Sequence, residues 1–329
     1  MNDVTRAPGS SSNKPTGWLH DDTYLKHLPG RTGHPECPER LLAIRDRIQK
    51  APWFPALSHI APRMATPREL SLVHDPHYLA LVAREATGVS GLRQLSTGDT
   101  IVSRDSLVVA YLAAGGVLAA TDAVMTGKLR NAFCAVRPPG HHATRDRAMG
   151  FCIFNNVALA ARYVQQTFGI TKVLIVDWDY HHGNGTQDIF YDDPTVFYFS
   201  THHYGAYPGT GAPSERGIGD GVGATLNVPL PVGCSDAQIY QALDSCLVPA
   251  AQAFHPEFVF ISAGFDAMRD DLLGCFDVTP EGFAAITRLV TNLAEELCGG
   301  RIVSVLEGGY RLDGLAECAA AHVEALQSN

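Results

Sequence analysis

The stretch "VDWDYHHGNGTQD", residues 176–188, decides how this chain folds and what it can bind, because an apolar segment ends there in acids and histidines. The preceding residues, "TKVLI", are typical of a buried strand. Burying a charged group is unfavourable unless it is paired or bound to a metal. Asp177, Asp179 and His181 are two residues apart, so an extended chain would place all three on one face. The stretch therefore predicts a polar site at the end of a buried strand.

The composition is that of a folded protein with a sizeable core. Of the 329 residues, 46% are apolar and 18% are charged, and the formal net charge is −9. No run of basic residues suggests nucleic-acid binding, and the eight cysteines include no C-x-x-C pair. The polar N-terminus is unlike a secretory signal, and no apolar run is expected to reach transmembrane length. We therefore expect a cytoplasmic protein that binds neither membranes nor nucleic acids. Its oligomeric state stays open.

Residues 1–16 are rich in Ser, Asn, Pro and Gly, which predicts a disordered tail, and residues 17–329 are predicted to form a single domain. Beyond a first short strand near residue 17, strands are predicted at 131–136, 171–179, 195–200, 257–264 and 301–309. Helices are predicted at 37–51, 66–74, 75–85, 106–127, 155–169, 235–254, 279–300 and 312–327. Apolar strands that alternate with helices predict an α/β fold, with a parallel sheet covered by helices on both faces. Such sheets bind ligands beyond the carboxyl ends of their strands.

Metal-binding residue types gather at these carboxyl ends. Asp179 and His181 follow one predicted strand, and Asp266 follows another. Together they offer two carboxylates and one imidazole, and a catalytic zinc site needs three protein ligands and one open position. The alternative is that Asp179 and His181 cap the strand and pair with basic side chains. The apolar strand that ends in polar residues favours the metal site.

Two further motifs could act on a bound substrate. His141 and His142 follow two prolines and a glycine, so they project from a tight turn, where one histidine could transfer a proton. Tyr310 follows two glycines and could donate a hydrogen bond to an oxyanion. Taken alone, the histidines are more simply interpreted as solvated or core residues, and the tyrosine as an ordinary core residue. The G-N-G sequence at residues 183–185 is interpreted as a turn.

The order of the motifs resembles the zinc-dependent histone deacetylase superfamily. The motifs are "RPPGHHA", "GFCIFNN", "VDWDYHHGNGTQDIF", "SAGFDA", "VTPEGF" and "EGGY". The match is nearest to the class II branch and to bacterial histone deacetylase-like amidohydrolases, and it runs from "GHPECPERLLAI" to the last predicted helix. The resemblance implies an arginase-like α/β fold and hydrolysis of an acylated amine, such as an acyl-lysine in a peptide or protein.

The resemblance also implies roles for individual residues. Asp179, His181 and Asp266 match the zinc ligands, and either Zn²⁺ or Fe²⁺ would suit this set. His142 matches the general base and acid, and Asn184 matches the residue that faces it. His141 matches the electrostatic partner of His142, and Asp177 matches the acid that orients His141. Tyr310 matches the oxyanion donor. The substrate-binding set comprises Gly150, Phe151, Tyr207, Leu273, Gly308 and Arg40. A potassium ion is expected at Asp177, Asp179, His181, Ser200 and Thr201.

Two positions depart from the family pattern. Tyr207 stands where the second wall of the acyl-lysine channel is usually Phe, which puts the preferred acyl group in question. Leu273 stands where a polyamine deacetylase branch carries Glu, so its neutral side chain argues against polyamine substrates.

Three alternatives to a lysine deacylase remain. The first is a deacetylase of polyamines or other small molecules. The second is a binuclear hydrolase of the arginase type, which would need bridging carboxylates that residues 182–184 do not supply. The third is a module that binds acyl-lysine without turning it over, against which the intact set of histidines, tyrosine and metal ligands argues.

Overall fold

The computed structural model describes residues 14–30 and 33–328, which are organised around one parallel sheet. The strands are β1 (Gly17–Leu19), β2 (Ser58–His59), β3 (Arg93–Gln94), β4 (Ile101–Val102), β5 (Asn131–Cys134), β6 (Val173–Asp177), β7 (Val196–His203), β8 (Thr225–Leu230), β9 (Phe258–Ala263) and β10 (Ile302–Leu306). Eight of them form the sheet in the order β2-β1-β5-β10-β9-β6-β7-β8, and β3 pairs with β4 separately. The predicted tail lies outside the described residues, except for residues 14–16.

Helices cover this sheet on both faces, which confirms the predicted fold class. They are α1 (Glu39–Gln49), α2 (Pro67–Leu70), α3 (Pro76–Ala86), α4 (Ser106–Met125), α5 (Asn156–Phe168), α6 (Asn184–Phe190), α7 (Asp236–Ala242), α8 (Val248–Phe254), α9 (Pro280–Cys298) and α10 (Leu312–Gln327). Helices α4 and α5 pack together on one face, and α9 and α10 pack together on the other. Strands β5, β6, β9 and β10 are buried at every position, as their apolar sequences predict.

The register of the central strands brings their carboxyl ends to the same level. Asp177 at the end of β6 pairs with Ser200 on β7 and with Ser262 on β9. On the other side of β9, Ala263 pairs with Leu306, the last residue of β10. The polar segments that follow β6, β9 and β10 therefore leave the sheet side by side.

Helix α4 is long and apolar enough to cross a membrane, judged by length and composition alone. The expectation that no segment reaches that length is therefore wrong. In this structure α4 packs against β5, β10 and α5, and its buried residues include Val109, Ala113, Val117 and Leu118. Its apolar composition is accounted for by its place in the core.

Three other differences from the sequence expectations have local causes. The G-N-G sequence opens helix α6 instead of forming a simple turn. The helix predicted at 235–254 is interrupted by a π-helical segment, Leu243–Leu247, just before Pro249, which lacks the N–H that would bond to the carbonyl of Ser245. Strands β2, β3, β4 and β8 are not among the predicted strands; β8 contains Pro229, which a sheet tolerates at its edge, where β8 lies.

Candidate active site

Three residues that follow β6 and β9 form a buried cluster at the carboxyl end of the sheet. One ligand atom each from Asp179, His181 and Asp266 lies within 4.8 Å of the other two. The Nδ1 atom of His181 lies 2.9 Å from Asp266 Oδ2 and 3.3 Å from Asp179 Oδ1. The structure therefore brings together the three residues that the sequence selected as metal ligands.

Local hydrogen bonds, and not the pleat of a strand, produce this cluster. Strand β6 ends at Asp177, so the expectation of a shared strand face for residues 177, 179 and 181 is wrong. The backbone N–H of Asp179 donates to Asp177 Oδ1 (3.2 Å), and the N–H of His181 donates to Asp179 Oδ1 (2.8 Å). Each bond closes an Asx turn, in which an aspartate side chain accepts the N–H two residues further on. The two turns direct Asp179 and His181 towards Asp266, whereas Asp177 faces His141.

Two glycines make room for the carboxylates. A Cβ atom on Gly264 would lie 2.0 Å from Asp179 Oδ2, and one on Gly308 would lie 2.2 Å from Asp266 Oδ2. The N–H of Gly308 also donates to Asp179 Oδ2 at 2.8 Å. Gly308 therefore lies against the carboxylates, behind the pocket and not on its wall, which differs from its expected place in the substrate-binding set.

The charges of the cluster favour a bound cation. Burial, and then the charge of Asp179, raise the pKa of Asp266 to about 7. Burial opposes protonation of His181, but hydrogen bonds with Asp179 and Asp266 outweigh it and raise the pKa of His181 to about 10. Two buried carboxylates this close need a neighbouring positive charge. One imidazole nitrogen and two carboxylate oxygens suit a divalent metal of the zinc or iron type, so the donor set fits the group that the resemblance implies.

The two adjacent histidines lie beside this cluster and have different partners. His141 Nδ1 lies 3.1 Å from Asp177 Oδ2, whereas His142 Nδ1 lies 2.8 Å from the amide oxygen of Asn184. The amide oxygen can only accept, so His142 Nδ1 carries the hydrogen and Nε2 keeps its lone pair. Both rings are buried, and their centroids are 4.0 Å apart.

The same partners separate the pKa values of the two rings. Burial alone would lower the pKa of His141, but the charges of Asp179 and Asp177 raise it well above its usual value. Burial lowers the pKa of His142 well below its usual value, and the neighbouring His141 and His181 lower it further. The site therefore combines a histidine that favours the protonated form with a neutral one.

A pocket of about 380 Å³ opens above the cluster. Its lining includes seven predicted site residues, His142, Gly150, Phe151, His181, Tyr207, Leu273 and Tyr310, together with Asp99, Tyr180 and Ala206. Gly150 and Phe151 have φ angles of +56° and +69°, and the N–H of Cys152 closes the turn onto the carbonyl of Met149 (2.9 Å). A Cβ on Gly150 would lie 2.3 Å from the His142 ring, so this position needs glycine.

Tyr310 lies on one wall of the pocket, and its ring packs against the buried side chain of Arg40. Burial, and then the charge of Asp266, raise the pKa of its hydroxyl well above 10, so the hydroxyl remains a donor at neutral pH. The guanidinium carbon of Arg40 lies 5.0 Å from the Tyr310 ring centroid. Arg40 is fully buried and donates to the carbonyls of Glu307 and Gly309 at 2.6 Å each. It therefore lies beneath Tyr310 and is not among the residues that line the pocket.

The opposite wall is held by two hydrogen bonds to Asp99, one from each of two neighbouring loops. The hydroxyl of Tyr207 donates to Asp99 Oδ2 (3.0 Å), and the N–H of Gly150 donates to Asp99 Oδ1 (2.8 Å). The Tyr207 ring stands perpendicular to His142, with centroids 5.1 Å apart. Leu273 is 40% exposed at the rim. Tyr207 is thus held in the pocket wall by a hydrogen bond to an acid of the same lining.

Sequence reasoning missed two acids near the site. Asp99 lies in a turn, and nothing in "STGDT" marks it as a pocket residue. Glu307 directly follows the apolar strand β10, and it is fully buried. An acid at the end of an apolar strand was the signal that selected Asp177, and it could have selected Glu307 too.

Ser200 and Thr201 lie on β7 beside Asp177, where the potassium ion was expected. The Ser200 hydroxyl contacts His202 Nδ1 (2.9 Å), whereas the buried Thr201 hydroxyl has no hydrogen-bond partner in the part of the chain that the structure describes. Successive side chains of a strand point to opposite faces, so the Thr201 hydroxyl lies on the face of β7 opposite to Ser200 and Asp177 and does not bear on the ion site.

Comparison with known proteins gives a consistent result. A family model described as "Histone deacetylase domain" matches residues 34–326. The chain is 44% identical to Histone deacetylase 15 of Arabidopsis thaliana, covering 94% of this chain and 54% of the relative. It is 43% identical to Polyamine deacetylase HDAC10 of Homo sapiens, and the match covers 89% of this chain and 45% of the relative. The crystal structure of the HDA15 HD domain matches with a TM-score of 0.90 and 41% identity, covering 96% of this chain and 89% of that one. This chain spans about half the length of these full-length relatives.

Proposed function

Because the chain belongs to the histone deacetylase domain family, we propose that it is a zinc-dependent hydrolase that removes acetyl or related acyl groups from lysine-type amines. The observation that carries the proposal is the position of three ligand atoms within 4.8 Å of one another, next to a pocket lined by His142 and Tyr310. Zn²⁺ is the metal we propose, and Fe²⁺ suits the same ligands.

When bound to Asp179, His181 and Asp266, the metal would polarise the acyl carbonyl and lower the pKa of an attacking water. His142 Nε2, which keeps a lone pair because Nδ1 bonds to Asn184, takes the proton of that water. It later returns the proton to the departing amine. His141, held by Asp177, contributes positive charge beside the reaction. The hydroxyl of Tyr310 donates to the developing oxyanion.

Gly150 and Phe151 are proposed to bind the acylated side chain. The carbonyl of Gly150 accepts the amide hydrogen of the substrate, and the ring of Phe151 packs against the alkyl chain. Tyr207 forms the facing wall, and its bond to Asp99 keeps that wall in place. This fixed wall favours short acyl groups such as acetyl.

We further propose a potassium ion at Asp177, Asp179, His181, Ser200 and Thr201, held largely by oxygen atoms, and a cytoplasmic location. The pairing of Asp177 with Ser200 on neighbouring parallel strands, which puts both side chains on one face of the sheet, supports the ion site. A second catalytic metal is not proposed. The ring nitrogens of His182 contact Thr210 (2.7 Å) and Gln187 (3.0 Å), and so this neighbour of His181 is already engaged.

An acetylpolyamine deacetylase is the second candidate. Asp99 favours it, because its carboxylate lies on the pocket wall and could attract a second cationic amine. Leu273 disfavours it, because an uncharged side chain at the rim offers such an amine no partner. The substrate would differ between the two candidates, but the chemistry would not.

The test is turnover of a substrate panel by protein of defined zinc content. The panel contains acetyl-lysine peptides, longer acyl-lysine peptides and acetylated polyamines. We expect the highest kcat/KM on acetyl-lysine peptides. A Tyr207→Phe variant keeps the ring and loses the bond to Asp99, and so it should raise the activity on longer acyl chains relative to acetyl. Preference for acetylated polyamines would establish the second candidate, and no turnover of any amide would refute both.

A further inference from the structure

Glu307 is a buried acid that the proposed chemistry does not use. It follows β10 and is fully buried. Its Oε2 atom accepts the N–H groups of Gly140 (2.7 Å) and His141 (3.1 Å), and its Oε1 atom accepts the hydroxyl of Ser262 (3.2 Å). A carboxylate is expensive to bury, and three donors to one acid indicate a specific task.

The two N–H groups belong to the turn that carries both histidines. Pro138 and Pro139 have no N–H, so Gly140 and His141 supply the first donors of the turn. The same turn is bonded on its other side, where the carbonyl of His141 accepts the N–H groups of Gly185 (3.0 Å) and Thr186 (3.1 Å) at the start of α6. Glu307 therefore ties the turn to β10, while α6 ties it to the segment after β6.

We propose that Glu307 is a positioning residue, which holds the backbone of the His141–His142 turn at a fixed distance from the metal ligands. This inference rests on the proposed function, since the position of His142 matters only if it transfers a proton. Glu307 acts through the turn and does not touch the substrate pocket, whose lining does not include it.

Holding the turn depends on an acceptor oxygen, whereas the charge of Glu307 separately helps to raise the pKa of His141. One oxygen atom, Oε2, accepts both backbone N–H groups, and a neutral carboxyl or an amide can present the same oxygen. In a Glu307→Gln variant the amide oxygen can take the place of Oε2, while the NH₂ group donates to the Ser262 hydroxyl. Both bonds to the turn are thus retained without the negative charge.

The experiment compares Glu307→Ala, Glu307→Gln and the control Ser262→Ala, all loaded with one equivalent of zinc. Misplacing a catalytic group by about 1 Å can lower the rate about 10²-fold. We expect Glu307→Ala to lose kcat by about that factor with KM changed much less. Glu307→Gln, which keeps an acceptor oxygen for both N–H groups, should recover most of the lost kcat. Ser262→Ala, which removes only the partner of Oε1, should stay within about threefold of wild type.

Hydrogen–deuterium exchange provides a readout that does not depend on turnover. The amides of Gly140 and His141 should exchange faster in Glu307→Ala than in the wild-type protein and in Glu307→Gln. If the alanine variant does not fold, Glu307→Asp replaces it, because an acid one methylene shorter cannot reach both N–H groups. The aspartate variant should then show the same loss of kcat and the same faster exchange.

Three results would overturn the inference. In the first, Glu307→Gln is as impaired as Glu307→Ala, so that charge and not position matters. In the second, a folded alanine or aspartate variant keeps wild-type kcat. In the third, the exchange of the two amides is unchanged. An inactive wild-type protein would instead count against the proposed function, and the exchange data would still decide whether Glu307 holds the turn.

Discussion

The two histidines of the active-site turn differ chiefly in the residue behind each ring. Asp177 gives His141 a negatively charged partner, whereas Asn184 gives His142 a neutral amide. A neighbouring carboxylate stabilises the protonated form of an imidazole ring. A neutral amide does not, so burial decides the protonation state and favours the neutral ring. Pairs whose pKa values are pushed apart in this way are typical of acid–base sites. At the residue scale, the charges of Asp179 and Asp177 favour a protonated His141, whereas burial and the neighbouring His141 and His181 keep His142 neutral.

Asn184→Asp tests this difference. A carboxylate behind His142 should raise the pKa of that ring by about one unit or more. A base with a higher pKa is neutral only at higher pH, so the acidic limb of the kcat/KM profile should move to higher pH. The measurement is kcat/KM against pH for both proteins at constant zinc content. An acidic limb that does not move would show that His142 is not the group that titrates.

Tyr310→Phe tests the proposed oxyanion donor. The phenyl ring keeps its contacts with Phe151 and Arg40 but loses the hydroxyl. We expect kcat to fall by about 10²-fold or more, as for other single oxyanion donors, with KM and thermal stability little changed. Steady-state kinetics with an acetyl-lysine peptide provide the measurement. Turnover close to that of the wild-type protein would refute the role.

At the scale of elements, the apolar central strands and the histidine turn were predictable, and the local bonds that shape the site were not. The apolar sequences of β6, β9 and β10 predicted their burial, and the acids after them predicted a site. Nothing periodic in the sequence marks the Asx turns at Asp177 and Asp179, the bond between Tyr207 and Asp99, or the reach of Glu307 to Gly140. The last two join positions 108 and 167 residues apart, and they depend on how loops cross the end of the sheet.

The segment before α1 is fixed to the sheet by a buried ion pair. Glu36 is fully buried, and its carboxylate pairs with Arg137, three residues after the end of β5, and with Arg40 in α1 (3.4 Å). Burial would raise the pKa of Glu36, but the charge and hydrogen bonds of Arg137 outweigh it and lower the pKa to about 2. Removing one partner of such a pair leaves the other charge buried and uncompensated.

Glu36→Gln should therefore destabilise the fold at neutral pH. With the pKa at about 2 in the folded state and about 4.5 in the unfolded state, the carboxylate contributes on the order of 3 kcal/mol above pH 4.5. This contribution is lost as the pH falls from 4.5 towards 2, so the difference between variant and wild type should shrink over that range. Urea unfolding at pH 7, 4 and 3 measures it.

Glu317→Gln is the matched control. It removes the acid of an exposed pair with Arg47, which should be worth less than about 1 kcal/mol. Equal stability losses in the two variants at pH 7 would contradict the special role of the buried pair. So would a difference between Glu36→Gln and the wild-type protein that persists unchanged at pH 3.

At the scale of the whole molecule, the parallel sheet explains why one sequence motif was enough to locate the site. All eight strands run in the same direction, so the segments after β6, β9 and β10 meet at the carboxyl ends of the strands, although they are far apart in the sequence. The metal ligands, the histidine turn and Tyr310 all leave the sheet at this end. The pattern of apolar strands was enough to predict where these segments meet. The residues of the pocket wall come from loops, whose paths the pattern does not predict.

The account depends on one metal ion held by Asp179, His181 and Asp266, and a zinc titration tests this most directly. Protein freed of metal by a chelator is supplied with Zn²⁺ in steps, while bound zinc and turnover of an acetyl-lysine peptide are measured together. The account predicts no turnover without metal, and a rise that ends at one equivalent. It also predicts that His181→Ala neither retains that equivalent nor gains activity. Full turnover by protein shown to be metal-free, or one tightly bound equivalent retained by His181→Ala, would contradict it.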